Sequence, residues 1–245
     1  MSEKEKYVEN PKLKGSNIVD CIPHTGECPL KCAECFYNGG RFFRTLDEPW
    51  MPPDELTEGK IVRVNSGHDS NIDREMVLKA TQHFKRVFYS TAIPKFDFPA
   101  PIVFTCNGPK KRVKLVKKVP WNLMFVRVRV ETWDMETIHK AVDYYWKKHG
   151  APVVLTFMRF YDGNLIPDEA KDDYVWKKNI TNSYYCATRE AILRVMAEFN
   201  VLTGIENVDR YKGSGVRMCG TPDSSMCADC GNCEFFYREV MPISF

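Results

Sequence analysis

The sequence predicts an α/β protein built on a parallel sheet that forms an open or partial barrel. Short apolar runs of the β type alternate with amphipathic helical patterns, which is typical of βαβ units. With 245 residues, of which 44% are hydrophobic, the chain can bury one large core. The motifs that carry chemistry follow predicted strands, and parallel α/β folds gather their sites at the carboxyl ends of strands.

The predicted strands are short runs rich in Val, Ile and Phe. In chain order they cover residues 17–22, 61–65, 101–105, 123–130 and 153–157, with a sixth within 201–210. Five or six parallel strands joined by crossover helices predict a partial (β/α)6 barrel.

Three amphipathic helices are predicted between the strands. The first spans 72–84, with Met76 and Ala80 on its apolar face and an N-cap at 70 or 71. The second spans 134–150 and ends at a glycine, and the third spans 184–199.

Composition and charge exclude several classes of protein. The formal net charge of +3 is well short of the basic balance of a dedicated nucleic-acid binder, so we expect no nucleic-acid partner. No apolar stretch approaches the ~20 residues that a membrane span needs, and residues 1–7 are of mixed charge without an apolar h-region. We therefore expect a cytoplasmic protein with no membrane partner. In that reducing compartment, the grouped members of the ten cysteines indicate metal binding or catalysis.

The most informative motif is the cysteine loop, formed by Cys28, Cys32 and Cys35 directly after the first predicted strand. Its C-x3-C-x2-C spacing brings three thiolates to one soft metal centre. Three ligands suit an iron–sulfur cube in which one iron has no protein ligand. The alternative is a structural zinc site completed by His24 or Cys21, although zinc sites usually pair their cysteines as C-x2-C and close with four ligands.

Three further motifs each lie at the end of a predicted strand. The second strand leads into Ser66-Gly67-His68-Asp69, the third into Thr105-Cys106-Asn107-Gly108, and the fourth contains Val128-Arg129-Val130-Glu131. With the cysteine loop, this order resembles the radical S-adenosylmethionine (radical SAM) superfamily. The three motifs are similar to that family's S-G-G-E, T-N-G and V-S-x-D elements.

The resemblance implies a partial barrel in which Cys28, Cys32 and Cys35 ligate a catalytic [4Fe-4S] cluster. The open iron of that cluster would bind SAM and cleave it reductively to a 5′-deoxyadenosyl radical, which abstracts a hydrogen atom from the substrate. For an oxidoreductase or lyase of this type we expect a flavodoxin or ferredoxin-type electron donor.

The resemblance also implies which residues bind SAM. The cysteine loop would contribute Glu34, through its backbone, and Tyr37. The segment after the second strand would hold the methionyl amino group through Ser66, Gly67, His68 and Asp69. The turn residues Thr105 and Asn107 would contact SAM after the third strand, and Arg129 and Glu131 would lie near its ribose and carboxylate.

A second set of thiols, the C-terminal cysteine group, comprises Cys219, Cys227, Cys230 and Cys233. Its C-x2-C-x2-C core resembles the ligand run of bacterial ferredoxins, with Cys219 as a fourth ligand. A closed zinc site remains the alternative. We expect a second [4Fe-4S] cluster that transfers electrons, on an extension that closes the mouth of the barrel. The predicted organisation is a flexible charged arm (1–15), the barrel (16–210) and the extension (211–245).

The fourth predicted strand alternates valines with charged residues. If the valines face the helices, Arg127 and Arg129 point into the barrel, as Arg63 does from the second strand, and line a cavity for anions. The alternative is an edge strand with solvated arginines. An anionic small molecule or nucleotide is one candidate substrate, and a peptide or protein, as in glycyl-radical activases, is another. From a different class, a non-catalytic zinc or iron–sulfur module could bind nucleic acid through the basic residues 110–118.

Overall fold

A computed structural model describes residues 7–32, 35, 37, 46–108, 112–178, 183–201 and 215–241. Its centre is a seven-stranded parallel sheet that curls into a half-barrel. In order across the sheet, the strands are β1 (Ile18–Cys21), β2 (Ile61–Val64), β3 (Val87–Thr91), β4 (Ile102–Thr105), β5 (Leu123–Val130), β6 (Val153–Phe157) and β10 (Val216–Met218). A small antiparallel sheet contains β7 (Arg159–Phe160), β9 (Tyr184–Ala187) and β8 (Tyr174–Lys177). The α/β class is confirmed, whereas the predicted count of six strands is wrong.

Two strands of the main sheet, β3 and β10, were not predicted as strands, and each omission has a simple cause. The unpredicted strand β3 follows a helix after only a few residues, so its apolar residues merge with the helical pattern. The last strand, β10, is three residues long and belongs to the segment predicted as an extension. Of residues 201–210, where a sixth strand was predicted, the structure describes only Val201, which is not in a strand.

The helices are α1 (Asp54–Thr57), α2 (Arg74–Thr81), α3 (Met135–Ala141), α4 (Arg189–Glu198), α5 (Cys227–Cys230) and α6 (Asn232–Val240). A π-helical segment, Val142–Lys148, continues α3 and ends before Gly150, whose φ of +66° confirms the predicted stop.

Two helix predictions need correction. In α2 the buried side chains are Val77 and Thr81, whereas Met76 is 38% exposed, so the inner face is rotated by one residue. The residue before α2 is Asp73, with a φ of +43°, rather than the predicted cap at 70 or 71. The predicted third helix begins five residues late, because its first residues form β9 and Thr188 caps α4 through the Ala191 amide.

The half-barrel has a different core on each face. On the convex face, Val126, Val128 and Val130 of β5 pack in one cluster with the α3 residue Ile138. On the concave face, the amino-terminal ends of the strands pack against α6. This second cluster contains Ile18, Ile61, Phe88, Val103, Met124, Phe125 and Val154 from the sheet and Phe236 and Tyr237 from α6.

The position of α6 corrects the expectation that the extension closes the mouth of the barrel. The helix covers the amino-terminal part of the concave face, whereas the cysteine loop follows the carboxyl end of β1. In the part of the chain that the structure describes, no helix has the length and apolarity needed to cross a bilayer.

The docking of α6 can be tested by Phe236→Ala. Phe236 is 6% exposed and its ring centroid lies 5.4 Å from that of Phe125. The truncation should lower the free energy of unfolding in urea by about 3 to 5 kcal/mol, because it leaves a cavity in an apolar cluster. Glu239→Ala, on the exposed face of the same helix, is the matched control and should change it by less than about 0.5 kcal/mol. Equal effects of the two substitutions would contradict this packing.

Candidate active site

The cysteine loop begins directly after β1 and is fixed at several points. The backbones of Ile22 and Trp50 exchange two hydrogen bonds of 2.8 Å, and the Tyr37 hydroxyl donates to the Gly26 carbonyl at 3.1 Å. Tyr37 itself is fully buried. The loop therefore has a defined path beside the carboxyl end of β1.

Within the loop, two tight turns carry the thiols. The Lys31 amide donates to the Cys28 carbonyl and the Cys35 amide to the Cys32 carbonyl, each at 3.3 Å. Lys31 adopts a left-handed φ of +42°. Cys28 is buried, whereas Cys32 and Cys35 are half-buried. Glu34, which is predicted to bind SAM through its backbone, lies outside the described residues.

The three thiols share one electrostatic environment. Burial, together with the nearby Cys35, Asp69 and Cys32, raises the pKa of Cys28 to about 11. Burial also raises the pKa of Cys32, while the positive charge of Arg129 lowers it. Asp69, after β2, and Arg129, on β5, therefore lie within electrostatic range of the cysteine loop.

The two alternative zinc ligands near this loop are engaged elsewhere. Cys21 packs in the convex core, and its Sγ lies 3.4 Å from Met51 Sδ. His24 Nε2 donates to the Ile72 carbonyl at 2.9 Å, and its Nδ1 lies 3.2 Å from Asn65 Oδ1. Neither side chain completes a four-ligand site with the cysteine loop.

Two histidines join the cysteine loop to the segment after β2. The imidazoles of His24 and His68 stack at 3.7 Å, and the Tyr37 ring meets His68 edge-on at 5.5 Å. Asn65, just after β2, takes a left-handed φ of +58°, which Asn tolerates better than most residues. Ser66 is half-buried and Gly67 buried in this turn.

Asp69 fixes the end of that segment. Its carboxylate accepts hydrogen bonds from the Asn71 amide (2.9 Å), the Thr91 hydroxyl (2.8 Å) and the Ala92 amide (2.6 Å). Burial raises its pKa. The side chain predicted to help hold SAM therefore anchors the turn after β2 to the end of β3.

Asn107 performs the same task between β4 and β5. Its side-chain amide donates to the Arg129 carbonyl at 2.7 Å and accepts from the Arg129 amide at 2.8 Å, extending the sheet by one pair of bonds. The Arg129 guanidinium lies 3.3 Å from the Gly108 carbonyl and 3.4 Å from Met158 Sδ. At the same strand ends Thr105 is half-buried and Glu131 is buried.

The C-terminal cysteine group lines a cavity of about 250 Å³ between the concave face and α5 and α6. Cys219 follows β10 and donates its amide to the Leu155 carbonyl at 2.8 Å. The other three thiols come from α5 and the first turn of α6, and Gly231 joins these helices with a φ of +64°. We call this space the cysteine cavity; its wall includes Arg63 and Arg127.

Hydrogen bonds distinguish the thiols of the cysteine cavity. The Asn232 amide donates to Cys230 Sγ at 3.1 Å. The pKa of Cys219 is lowered to about 5, because the Cys230 thiol hydrogen-bonds to it and Arg127 and Arg63 lie nearby. Burial raises the pKa of Cys233 to about 12.

The two arginines of the cysteine cavity differ in their partners. Arg63 donates to both carboxylate oxygens of Asp20, at 2.6 and 3.2 Å, and both residues are buried. Arg127 makes no hydrogen bond and no ion pair with any other described residue. Burial lowers its pKa, while Cys219 and Cys233 act in the opposite direction. The alternative of an edge strand with solvated arginines is wrong, because β5 lies between β4 and β6.

The side chains at both sites are suitable ligands for the iron–sulfur clusters that the resemblance implies. Thiolates bind both zinc and iron–sulfur clusters. Cations beside each set of cysteines, Arg129 at one and Arg127 at the other, offset thiolate charge. Across the described ranges, however, no three His, Cys, Asp or Glu side chains are grouped as ligands of a metal ion.

The sequence analysis did not identify several residues that hold the predicted site residues in place. Thr91 and Ala92, which hold Asp69, belong to the unpredicted β3 and its end. Asp20, the partner of Arg63, could have been found because the two residues face each other in neighbouring parallel strands.

Comparisons of the chain with protein-family models, with curated proteins and with solved structures found no match. The resemblance described above therefore depends on the motifs and on the parallel half-barrel that carries them.

The role of Asp69 can be tested by Asp69→Asn. The amide nitrogen would face one of three donors that now share the carboxylate, so the free energy of unfolding should fall by about 1 to 3 kcal/mol. Asp73→Asn is the matched control, because Asp73 is exposed and makes no capping hydrogen bond. Chemical denaturation of both variants provides the comparison. An Asp69→Asn protein as stable as the control would show that these hydrogen bonds do not anchor the turn.

Proposed function

We propose that this protein is a radical SAM enzyme with [4Fe-4S] clusters at the cysteine loop and at the C-terminal cysteine group. One observation carries the proposal: the three-cysteine loop leaves the first strand of a parallel half-barrel and lies beside side chains from the ends of β2 and β5. A three-thiolate set leaves one iron of such a cluster open to a small ligand.

When bound, the cluster at the cysteine loop supplies the electron that cleaves SAM to methionine and a 5′-deoxyadenosyl radical. The chain provides orientation and charge. Arg129 offers a guanidinium close to Cys32, and Asn107 fixes the backbone from which that guanidinium projects. Such a cation suits a carboxylate, either of SAM or of the substrate.

The turn after β2 is also held in a fixed position, which would help to orient SAM. Asp69 ties it to β3, and the stacked His24 and His68 tie it to the cysteine loop. Because these contacts are internal to the chain, Ser66 and Gly67 can present a preformed surface at the strand ends. Preformed sites bind without the entropic cost of ordering loops.

For the second site we propose electron transfer, since four thiols provide a closed ligand set. The substrate is proposed to be an anionic small molecule, nucleotide or peptide from which a hydrogen atom is abstracted. A flavodoxin or ferredoxin-type protein would supply electrons. A cytoplasmic location is proposed on the same grounds, because both sets of cysteines need a reducing compartment.

The direct test is anaerobic reconstitution with iron and sulfide, followed by dithionite and SAM. We expect 5′-deoxyadenosine from the wild-type protein and none from Cys32→Ala, because two thiolates no longer define the cluster site. Cys186→Ala is the matched control: this cysteine lies on β9, outside both sets of ligands, and its loss should leave 5′-deoxyadenosine formation unchanged.

Metal analysis of the protein as purified separates the proposal from its competitor. Iron and sulfide at both sites support the enzyme. Zinc at both sites, with no 5′-deoxyadenosine after reconstitution, would replace it by the zinc module that binds nucleic acid through residues 110–118.

A further inference from the structure

Arg127 carries a positive charge that no carboxylate among the described residues neutralises. The residue lies on β5, lines the cysteine cavity and has no carboxylate partner among the described residues. Arg127 is half-buried, and a charge that is partly removed from water without a partner destabilises the fold. Some other negative charge must therefore be expected beside its guanidinium.

The carboxylates near the cysteine cavity are already engaged. Asp20 accepts two hydrogen bonds from Arg63 and a third from the side-chain amide of Asn10. Glu234 also lines the cavity, but its oxygens accept from Asn17, at 3.0 and 3.1 Å, and from Arg238. The remaining acidic groups on the cavity wall are the thiols of the C-terminal cysteine group.

A second cation near this group has a different task. Arg217, on β10, donates to Asn232 Oδ1 at 3.1 Å, and its guanidinium stacks 4.1 Å from the centroid of the Phe235 ring. Asn232 in turn donates to Cys230. Arg217 thus positions a hydrogen-bond donor, whereas Arg127 faces the cavity directly.

We propose that Arg127 is the counter-charge of the C-terminal cysteine group and that it raises the reduction potential of the centre bound there. The inference rests on the proposed function, because it assumes that a thiolate-ligated metal centre fills the cysteine cavity. One-electron reduction adds a negative charge to such a centre. A neighbouring guanidinium stabilises the reduced state more than the oxidised state, so reduction becomes easier.

The test measures the midpoint potential of the C-terminal centre by EPR-monitored redox titration of the reconstituted full chain. A parent with Cys28, Cys32 and Cys35 replaced by alanine leaves only the C-terminal cysteine group to bind a cluster. Arg127→Gln should shift the potential to a more negative value, whereas Arg127→Lys should keep most of the parent potential because it keeps the positive charge.

A double variant provides the matched control. Asp20→Asn with Arg63→Gln removes a guanidinium from the same wall together with its carboxylate, so the net charge is unchanged. Its shift should be smaller than that of Arg127→Gln. Should Arg127→Gln fail to fold by circular dichroism, Arg127→Met, which keeps an apolar stem, takes its place.

The outcomes separate this inference from the proposed function. A cluster that forms with the same potential in Arg127→Gln and the parent would overturn the counter-charge while leaving the enzyme intact. Equal shifts for Arg127→Lys and Arg127→Gln would overturn it too. If the site binds only zinc, the iron–sulfur proposal fails; a loss of zinc affinity of about tenfold or more in Arg127→Gln would still support the counter-charge, and an unchanged affinity would refute it.

Discussion

The alternation of side chains along β5 is the constraint on which the structure depends. Its valines pack under the helices, so the residues between them must face the concave side. From the amino-terminal end, Phe125 meets α6, Arg127 faces the C-terminal cysteine group and Arg129 lies near Cys32. Along this one strand, the apolar contact with α6 and the two thiol sites follow one another at intervals of about 6.6 Å.

This layering explains why the C-terminal segment is part of the barrel. The strand β10 pairs with β6, and α6 fills the amino-terminal part of the concave face, where its aromatic side chains complete the apolar cluster. The C-terminal cysteine group is carried between these two elements, so folding of the segment and assembly of its thiols are coupled. The carboxyl ends of the strands remain for the cysteine loop and its neighbours.

The sequence predicted the features that depend on local pattern. The two faces of β5, the helix beginning at Met135 and the cysteine loop after β1 all follow from periodicity or spacing. The strand β3 was missed because so few residues separate it from α2, and β10 because three residues provide no period. For β9, the aromatic residues were assigned to a helix, although Thr188 marks the true start of α4.

The candidate site was harder to predict because its contacts join distant parts of the chain. Asp69 is held by Thr91 and Ala92 from another strand end, and no spacing rule encodes that bond. Nor does the cysteine spacing reveal that Arg127 faces the second set of thiols. Both facts require the register of the parallel sheet, which the sequence pattern leaves open.

We propose that two iron–sulfur centres occupy one half-barrel, in layers set by β5. Anomalous diffraction from crystals of anaerobically prepared protein, recorded at the iron and zinc absorption edges, tests it most directly. We expect two iron peaks, one enclosed by the cysteine loop beside Arg129 and one in the cysteine cavity beside Arg127. Zinc peaks without iron, or an iron peak outside both sets of cysteines, would contradict it.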